Sequence, residues 1–229
     1  MGMSEECKQW RKECRAELLS RRRAITDAER SQWNASITRQ LIAGFPFLRS
    51  MTLGFYWPIQ CEFDPRFATH YFRRHGATAA LPVVVQKGAP LQFREWYPGA
   101  IVVKGVFDLP MPSETPVVRP KALFIPPVGF DAQGYRLGYG GGYFDRTLAA
   151  LTPHPLKIGA AFDLSRIPTI RPQPHDVPMD FIVTESSIYQ VVSNRLLQVS
   201  PRHAEDSAST VLSERAAAPQ AARPSPASS

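Results

Sequence analysis

Four glycines occupy positions 138, 140, 141 and 142, inside the segment Gly134-Tyr-Arg-Leu-Gly-Tyr-Gly-Gly-Gly-Tyr-Phe-Asp-Arg146. A backbone this bare gives up the most conformational entropy on ordering and gains no side-chain packing, so it belongs in a loop that needs close approach or φ > 0. Leu123-Phe-Ile125 reads as a buried strand upstream, and Tyr143 to Leu151 can wind as a helix. The loop then lies where a strand hands over to a helix N-terminus, and unpaired N–H groups and the positive end of the helix dipole converge there on an anion. Arg136 and Asp145 bracket it, adding a phosphate partner and a possible metal ligand. The common phosphate signatures do not fit. A dinucleotide fingerprint needs a third glycine where Tyr143 stands, and a P-loop needs Lys followed by Ser or Thr. The alternative is a tight turn that needs φ > 0 and nothing more.

Along the chain, Trp10, Cys14 and Leu18 recur at helical spacing, and Arg11 and Arg15 lie one turn apart on an adjacent face. Arg21-Arg-Arg23 reads as a solvated helix end. Thr26 with Glu29 reads as a capping box opening a second helix, with Trp33, Ile37 and Leu41 on its apolar stripe and Gly44 as its stop. Residues 51–57 read as a strand. Asp64-Pro65 starts a helix that ends at Gly76. Further strands are expected at 78–85, 91–96, 121–126, 156–162 and 180–184. Strands alternating with helices predict an α/β sheet covered on both faces. After about Val199 the composition turns to Ala, Ser, Pro and scattered charges, so residues 200–229 are expected to be a disordered tail outside a single domain of residues 1–199.

With 44% hydrophobic residues in 229, one domain with a sizeable core is expected. No apolar run reaches the roughly 18 residues of a membrane span, and the first residues do not resemble a signal peptide, so a cytoplasmic protein is expected. Cys7, Cys14 and Cys61 form no C-x-x-C pair and read as reduced thiols. The net charge of +7 admits an RNA-binding module, but the excess is dispersed. Polyanionic small substrates explain the balance equally well, and no nucleic-acid or membrane partner is expected.

Residues 136–146 closely resemble the glycine loop of the 5-formyltetrahydrofolate cyclo-ligase family, also called 5,10-methenyltetrahydrofolate synthetases. Gly54-Phe-Tyr-Trp-Pro-Ile-Gln-Cys-Glu-Phe-Asp64, Leu81-Pro-Val-Val, Phe124-Ile-Pro-Pro-Val-Gly-Phe-Asp131, Lys157-Ile-Gly-Ala-Ala-Phe162, His175-Asp176 and Ile182-Val-Thr184 follow the same pattern in order, covering roughly residues 8–190. The resemblance implies a three-layer α/β sandwich similar to coenzyme A transferases and ribose-phosphate isomerases. It also implies ATP-driven, Mg²⁺-dependent cyclisation of 5-formyltetrahydrofolate, which can carry a polyglutamate tail, by a monomer. A paralogue acting on another substrate is the alternative.

The resemblance implies roles for named residues as well. Arg11, Lys12 and Arg15 on the first helix, with Arg136, Leu137, Gly138, Tyr139, Gly140, Gly141, Gly142, Tyr143 and Phe144, would bind ATP. Arg136 and Tyr143 would be catalytic. Tyr56, Trp57, Glu62, Tyr139 and Tyr143 would meet the folate, and Asp145 and Asp176 would hold Mg²⁺. Two departures bear on the folate pocket: Cys61 stands where relatives commonly have Gly, and Leu109 where many have an acidic residue.

Overall fold

The computed structural model describes residues 4–217. Its helices are α1 (Glu5–Arg23), α2 (Asp27–Gly44), α3 (Arg66–Arg74), α4 (Tyr143–Ala150) and α5 (Pro201–Ala217). Its strands in chain order are β1 (Thr52–Gly54), β2 (Thr78–Val83), β3 (Gln92–Glu95), β4 (Val102–Lys104), β5 (Pro110–Pro112), β6 (Val117–Val118), β7 (Ala122–Ile125), β8 (Gly129–Asp131), β9 (Arg136–Leu137), β10 (Leu156–Ala160), β11 (Arg166–Ile167), β12 (Phe181–Val183), β13 (Ile188–Val192) and β14 (Arg195–Val199).

Nine strands form one sheet in the order β14-β13-β12-β10-β7-β1-β2-β3-β6. The five central strands, β12 through β2, pair in parallel, with Ile158 opposite both Phe124 and Phe181, and Leu53 opposite both Ala79 and Ala122. Parallel sheets need cover on both faces, and β7, β10 and β12 are buried at every position. Because side chains alternate, Leu53, Ala79, Phe124, Ile158 and Phe181 face one way, onto Ile37, Leu41 and Phe45 at α2, Phe72 of α3 and Ala204 of α5. Leu123, Ile125 and Ile182 face the other way, onto Phe130, Phe144, Leu148 and Met179. Helices thus flank the sheet as the alternating pattern predicts. A small sheet, β11-β8-β9, carries the chain into the glycine loop and packs under Leu18 of α1.

The parallel strands run β2-β1-β7-β10-β12, so the strand order reverses between β1 and β7. In an open α/β sheet the loops leaving the two strands at such a reversal diverge to opposite faces and open a crevice beyond the carboxyl ends.

Local signals hold where the chemistry is local. Thr26 and Glu29 form the reciprocal capping box, with Glu29 N donating to Thr26 Oγ1 at 3.2 Å and Thr26 N to Glu29 Oε2 at 3.0 Å. Asp64 accepts from Arg66 N at 3.0 Å, one residue later than expected, because Pro65 occupies the cap position of α3. Two expectations fail. Residues 201–217 are not a disordered tail but a helix seated on α2, with Ala204 and Ala208 buried and Val211 and Leu212 packed beside them; residues 218–229 lie outside the described residues. Alanine makes a segment look featureless by composition, yet it is the strongest helix former, and a small-residue seam lets two helices approach closely. Arg215 secures the end of α5, donating to Asp180 Oδ1 at 2.7 Å and to Pro155 O at 2.6 Å. Asp180 also lies 3.3 Å from Lys157 Nζ, a β10 lysine whose pKa burial pushes down.

The second failure is the apolar stripe of α1. Trp10 and Cys14 are half-buried, and the buried face of α1 is Cys7, Arg11, Leu18 and Arg22.

Ending the chain after Val199 is expected to lower the thermal midpoint by at least about 5 °C, because it strips the cover from α2 and frees Asp180. An unchanged midpoint in a melting experiment would contradict the packing role of α5.

Candidate functional site

A cavity of about 540 Å³ opens at the strand-order reversal. Tyr56 and Trp57 beyond β1, Val83 and Val84 at the end of β2, and Pro126 beyond β7 form part of its wall. Leu109 and Met111 add apolar surface, and the glycine loop with Arg136 and Asp145 closes one side. A second cavity of about 460 Å³ adjoins, lined by Gly140, Arg146, Pro174 and His175. The two share Gly141, Gly142 and Asp145 as a common wall.

None of the five amides from Gly138 to Gly142 donates a hydrogen bond to a described residue. Two conformations require glycine. Gly140 has φ +99° and Gly142, the N-cap of α4, has φ +63°; a Cβ on Gly142 would stand 2.8 Å from Arg146 Nη1. The carbonyls are in contrast tied back: Gly138 O accepts from Arg15 Nε at 2.8 Å and Gly141 O from Arg146 Nη2 at 2.6 Å. Guanidinium groups thus hold the carbonyls while the N–H groups stay free, which is how a loop binds an anion.

Arg136 is 6% exposed, donating from Nη1 to Val177 O at 3.1 Å and pairing with Asp145 Oδ1 at 2.9 Å, over the Phe144 ring. Burial pushes its pKa down, with Asp145 pulling the other way. Asp145 Oδ1 also accepts from Val177 N at 3.2 Å, so this carboxylate is fixed by two donors on one oxygen while 20% of its side chain stays exposed at the shared wall. A hard cation that takes one protein carboxylate plus phosphate and water oxygens fits here. Among the described residues no group of three or more His, Cys, Asp or Glu forms a closed metal cage. Asp176, the other expected ligand, is instead engaged by Arg11 through both oxygens and accepts from Gln173 N at 2.7 Å. Its side chain is 7% exposed, because the guanidinium that needs neutralising is itself buried.

Of the first-helix residues, Arg11 and Arg15 reach the site. Arg11 also holds Ile170 O at 3.2 Å and Arg171 O at 3.0 Å, so it braces the wall and is not free to meet a ligand. Arg15 lies over Gly140, 3.5 Å from where a Cβ would be, and burial lowers its pKa, with the charge of Arg11 adding to the effect. Lys12 is exposed, as one step of about 100° from Arg11 requires, and does not line either cavity. Leu137 is a core residue whose carbonyl accepts from Val128 N at 2.8 Å, so it lends the loop support and no donor. Tyr143 lines the large cavity with its ring under Arg146, 5.1 Å from the guanidinium carbon.

At the opposite end Tyr56 is buried, its hydroxyl donating to Phe63 O at 3.0 Å, while Trp57 is half-buried between Trp96 and the Arg66 guanidinium. Glu62 is 5% exposed; Oε2 accepts from Ile59 N at 2.8 Å and Oε1 from Tyr139 Oη at 2.7 Å. Burial raises its pKa to about 7 against the opposing pull of those bonds and of Arg22. A buried carboxyl titrating near neutrality on a cavity wall is a functional-site signature. The turn that presents it, Ile59–Glu62, closes with Glu62 N donating to Ile59 O at 3.0 Å, and Gln60 and Cys61 both have positive φ, +49° and +58°. Cys61 therefore occupies a left-handed position that glycine fills without strain.

Two residues escaped the sequence analysis. Arg22 is no solvated helix end: it is 3% exposed and donates to Gln60 O, Pro127 O and Tyr139 Oη. Its spacing of seven from Arg15, and eleven from Arg11, was the available signal, since all three fall on one helical face. Arg146 closes the quoted motif, yet the sequence assigned it no role.

Fold and site together define an α/β enzyme of the ligand-at-the-crevice type, with a loop of free amides between two cavities. A family profile described as the 5-formyltetrahydrofolate cyclo-ligase family matches residues 7–185. The chain belongs to that family, and is accordingly a ligase of folate one-carbon metabolism. It is 26% identical over 180 residues to the 5-formyltetrahydrofolate cyclo-ligase of Escherichia coli K12, covering 76% of this chain and 99% of that one. The Mycolicibacterium smegmatis enzyme of the same name is 29% identical over 179 residues, with 74% and 91% covered. Among solved structures, the 5,10-methenyltetrahydrofolate synthetase of Aquifex aeolicus superposes with TM-score 0.69 at 27% identity, over 82% of this chain and 96% of that one. That of Mycoplasma pneumoniae gives 0.63 at 26%, over 76% and 98%.

Two expectations follow. Cys61→Gly should raise stability by about 0.5–1 kcal/mol in urea unfolding by removing the left-handed strain; a loss would show that the thiol packs usefully. Because the folded pKa of Glu62 lies above 4.5, the stability tied to its neutral form is complete below pH 4.5 and lost as pH rises through about 7. Relative to Glu62→Gln, the wild type should therefore lose on the order of 3 kcal/mol across that window. Parallel curves for the two proteins would refute the raised pKa.

Proposed function

We propose that this chain converts 5-formyltetrahydrofolate to 5,10-methenyltetrahydrofolate at the expense of ATP, with Mg²⁺ bound at Asp145. The observation that carries the reading is the common wall of the two cavities, formed by Gly141, Gly142 and Asp145, in a loop whose five amides donate to no described residue and whose Asp145 is paired with Arg136. Two substrates that exchange a phosphoryl group need separate seats and one shared boundary. The folate occupies the larger, apolar cavity, between Tyr56, Trp57, Leu109 and Met111, with Glu62 addressing its polar edge. The nucleotide lies along the loop, its phosphates on the amides of Gly138 to Gly142 and its remainder toward Arg146 and His175.

The chemical obstacle is that a formamide oxygen is a poor leaving group. The formyl oxygen attacks the γ-phosphorus in line, the bond to the bridging oxygen breaks, and ADP departs. The resulting iminium phosphate is electrophilic at carbon. N10 adds its lone pair there, phosphate leaves with the C–O electron pair, and the N10 proton departs with it. The protein supplies positioning and charge. The amides and Arg15 hold the triphosphate, Arg136 neutralises charge gathering on the transferred oxygens, and Tyr143 shields the reacting end from water. Mg²⁺, when bound, supplies further neutralisation of the phosphate oxygens. The Arg136–Asp145 pair keeps Asp145 aimed, while Arg11 and Asp176 stiffen the wall behind it. The net charge of +7 steers both anionic substrates inward.

Purified protein with 5-formyltetrahydrofolate and Mg-ATP should generate the ultraviolet absorbance of the methenyl product only when ATP is present. Asp145→Ala and Gly142→Ala should each reduce kcat/KM by roughly 100-fold or more, since each removes charge stabilisation or the conformation of the cradle. Bound ATP without product in the wild type would sink this reading and favour a paralogue with another substrate.

A further inference from the structure

Arg22 is more buried than its surroundings explain. At 3% exposure an arginine is nearly always paired, yet no carboxylate lies within ion-pair distance of it among the described residues. Its nitrogens go instead to Gln60 O at 2.9 Å, Pro127 O at 3.3 Å and Tyr139 Oη at 2.7 Å. These acceptors belong to three separate loops: the turn before Glu62, the segment leaving β7, and the glycine loop. A guanidinium can only donate, so the Tyr139 oxygen is its acceptor and the Tyr139 proton is directed elsewhere. The partner for that proton is Glu62 Oε1, 2.7 Å away. The chain of donors therefore has one sense, from Arg22 through Tyr139 to Glu62.

We propose that Arg22 is a positioning residue of this site, which acts through the Tyr139 hydroxyl to bind the glycine loop to Glu62 and to keep Glu62 an acceptor toward the cavity. With the Tyr139 proton and the Ile59 N–H both aimed at it, the carboxyl is held in one orientation. Of the other ionisable groups around it, Tyr56 is spent on Phe63 O and Asp64 is paired with Arg66, so Arg22 is the cation acting on Glu62. The same hydroxyl connects the glycine loop with the turn that meets the second substrate, while the loop's own carbonyls are held separately by Arg15 and Arg146. This inference rests on the proposed function for the identity of that substrate, and its test is therefore read first on the protein alone.

Carboxyl ¹³C NMR of the full chain labelled at glutamate, without ligand, follows Glu62 directly. The wild-type midpoint is expected at about 7. Arg22→Met should raise it by about one pH unit, Tyr139→Phe should raise it in the same direction, and Arg22→Lys, which restores the charge and a donor, should recover most of the shift. In turnover, Arg22→Met and Tyr139→Phe should raise KM for 5-formyltetrahydrofolate roughly tenfold, with the value for ATP changed about twofold or less. A midpoint that stays put in both variants, with thermal midpoints showing both folded, overturns the proposal and leaves Arg22 a mere brace. Should Arg22→Met not fold, Tyr139→Phe decides alone, since it removes one hydroxyl from a ring that is 40% exposed. Absence of turnover in the wild type would instead defeat the proposed reaction, while the titration still decides the role of Arg22.

Discussion

One face of α1 organises the site, and it does so with guanidinium groups where most amphipathic helices use aliphatic side chains. Arg11, Arg15 and Arg22 reach from that face to carbonyls or hydroxyls on the 170–171 segment, the glycine loop, the Gln60 turn and the loop beyond β7. Leu18 is the fully buried aliphatic residue between them. Loops that leave different strands have no reason to converge, because each has its own entropy and no shared ladder. Long, forked donors on a rigid helix bring them to fixed separations, and in the glycine loop the engagement of Gly138 O by Arg15 leaves the next N–H, that of Tyr139, without an acceptor among the described residues.

This arrangement carries an electrostatic cost that suits its purpose. Buried cations are tolerated when neutralised, and the structure neutralises two of them selectively: Arg11 with Asp176, and Arg136 with Asp145. Arg15 and Arg22 have carbonyl or hydroxyl oxygens as acceptors and no carboxylate. The positive potential around the glycine loop is thus incompletely compensated by carboxylates. At the other end of the cavity the balance reverses, where burial holds Glu62 near neutrality in its titration. The cavity thus has amides without acceptors at one end and a buried carboxyl at the other.

How much of this could be read from the chain depends on the range of the interaction. The capping box at Thr26, the stop at Gly44, the helix from Tyr143 and the bare loop before it are settled within a few residues of sequence, and they hold. The five parallel strands lie within their expected ranges because buried parallel strands are largely apolar runs, and the antiparallel β3 lies within its range as well. Long-range facts were not legible in the same way. The helix at 201–217 looks like a polar tail until α2 and Asp180 are there to receive Ala204, Ala208 and Arg215. Asp176 looks like a free carboxylate until Arg11, 165 residues away, is placed against it. Lys12 and Arg22 exchange their expected environments because a basic run on a helix points in several directions, and the tertiary contacts select which of them is enclosed.

By itself, then, the sequence determined the bare glycine loop ahead of a helix, the alternation of strands and helices, and the family, since these follow from backbone freedom, local periodicity and a contiguous motif. The tertiary structure alone decided the strand order that opens the crevice between β1 and β7, the pairing of Asp176 with Arg11 and of Asp145 with Arg136, and the burial of Arg22 behind Tyr139 and Glu62. These depend on which elements meet across the sheet. Sequence separation carries no record of that, because the free energy of each contact is realised only after the intervening chain has been folded out of the way.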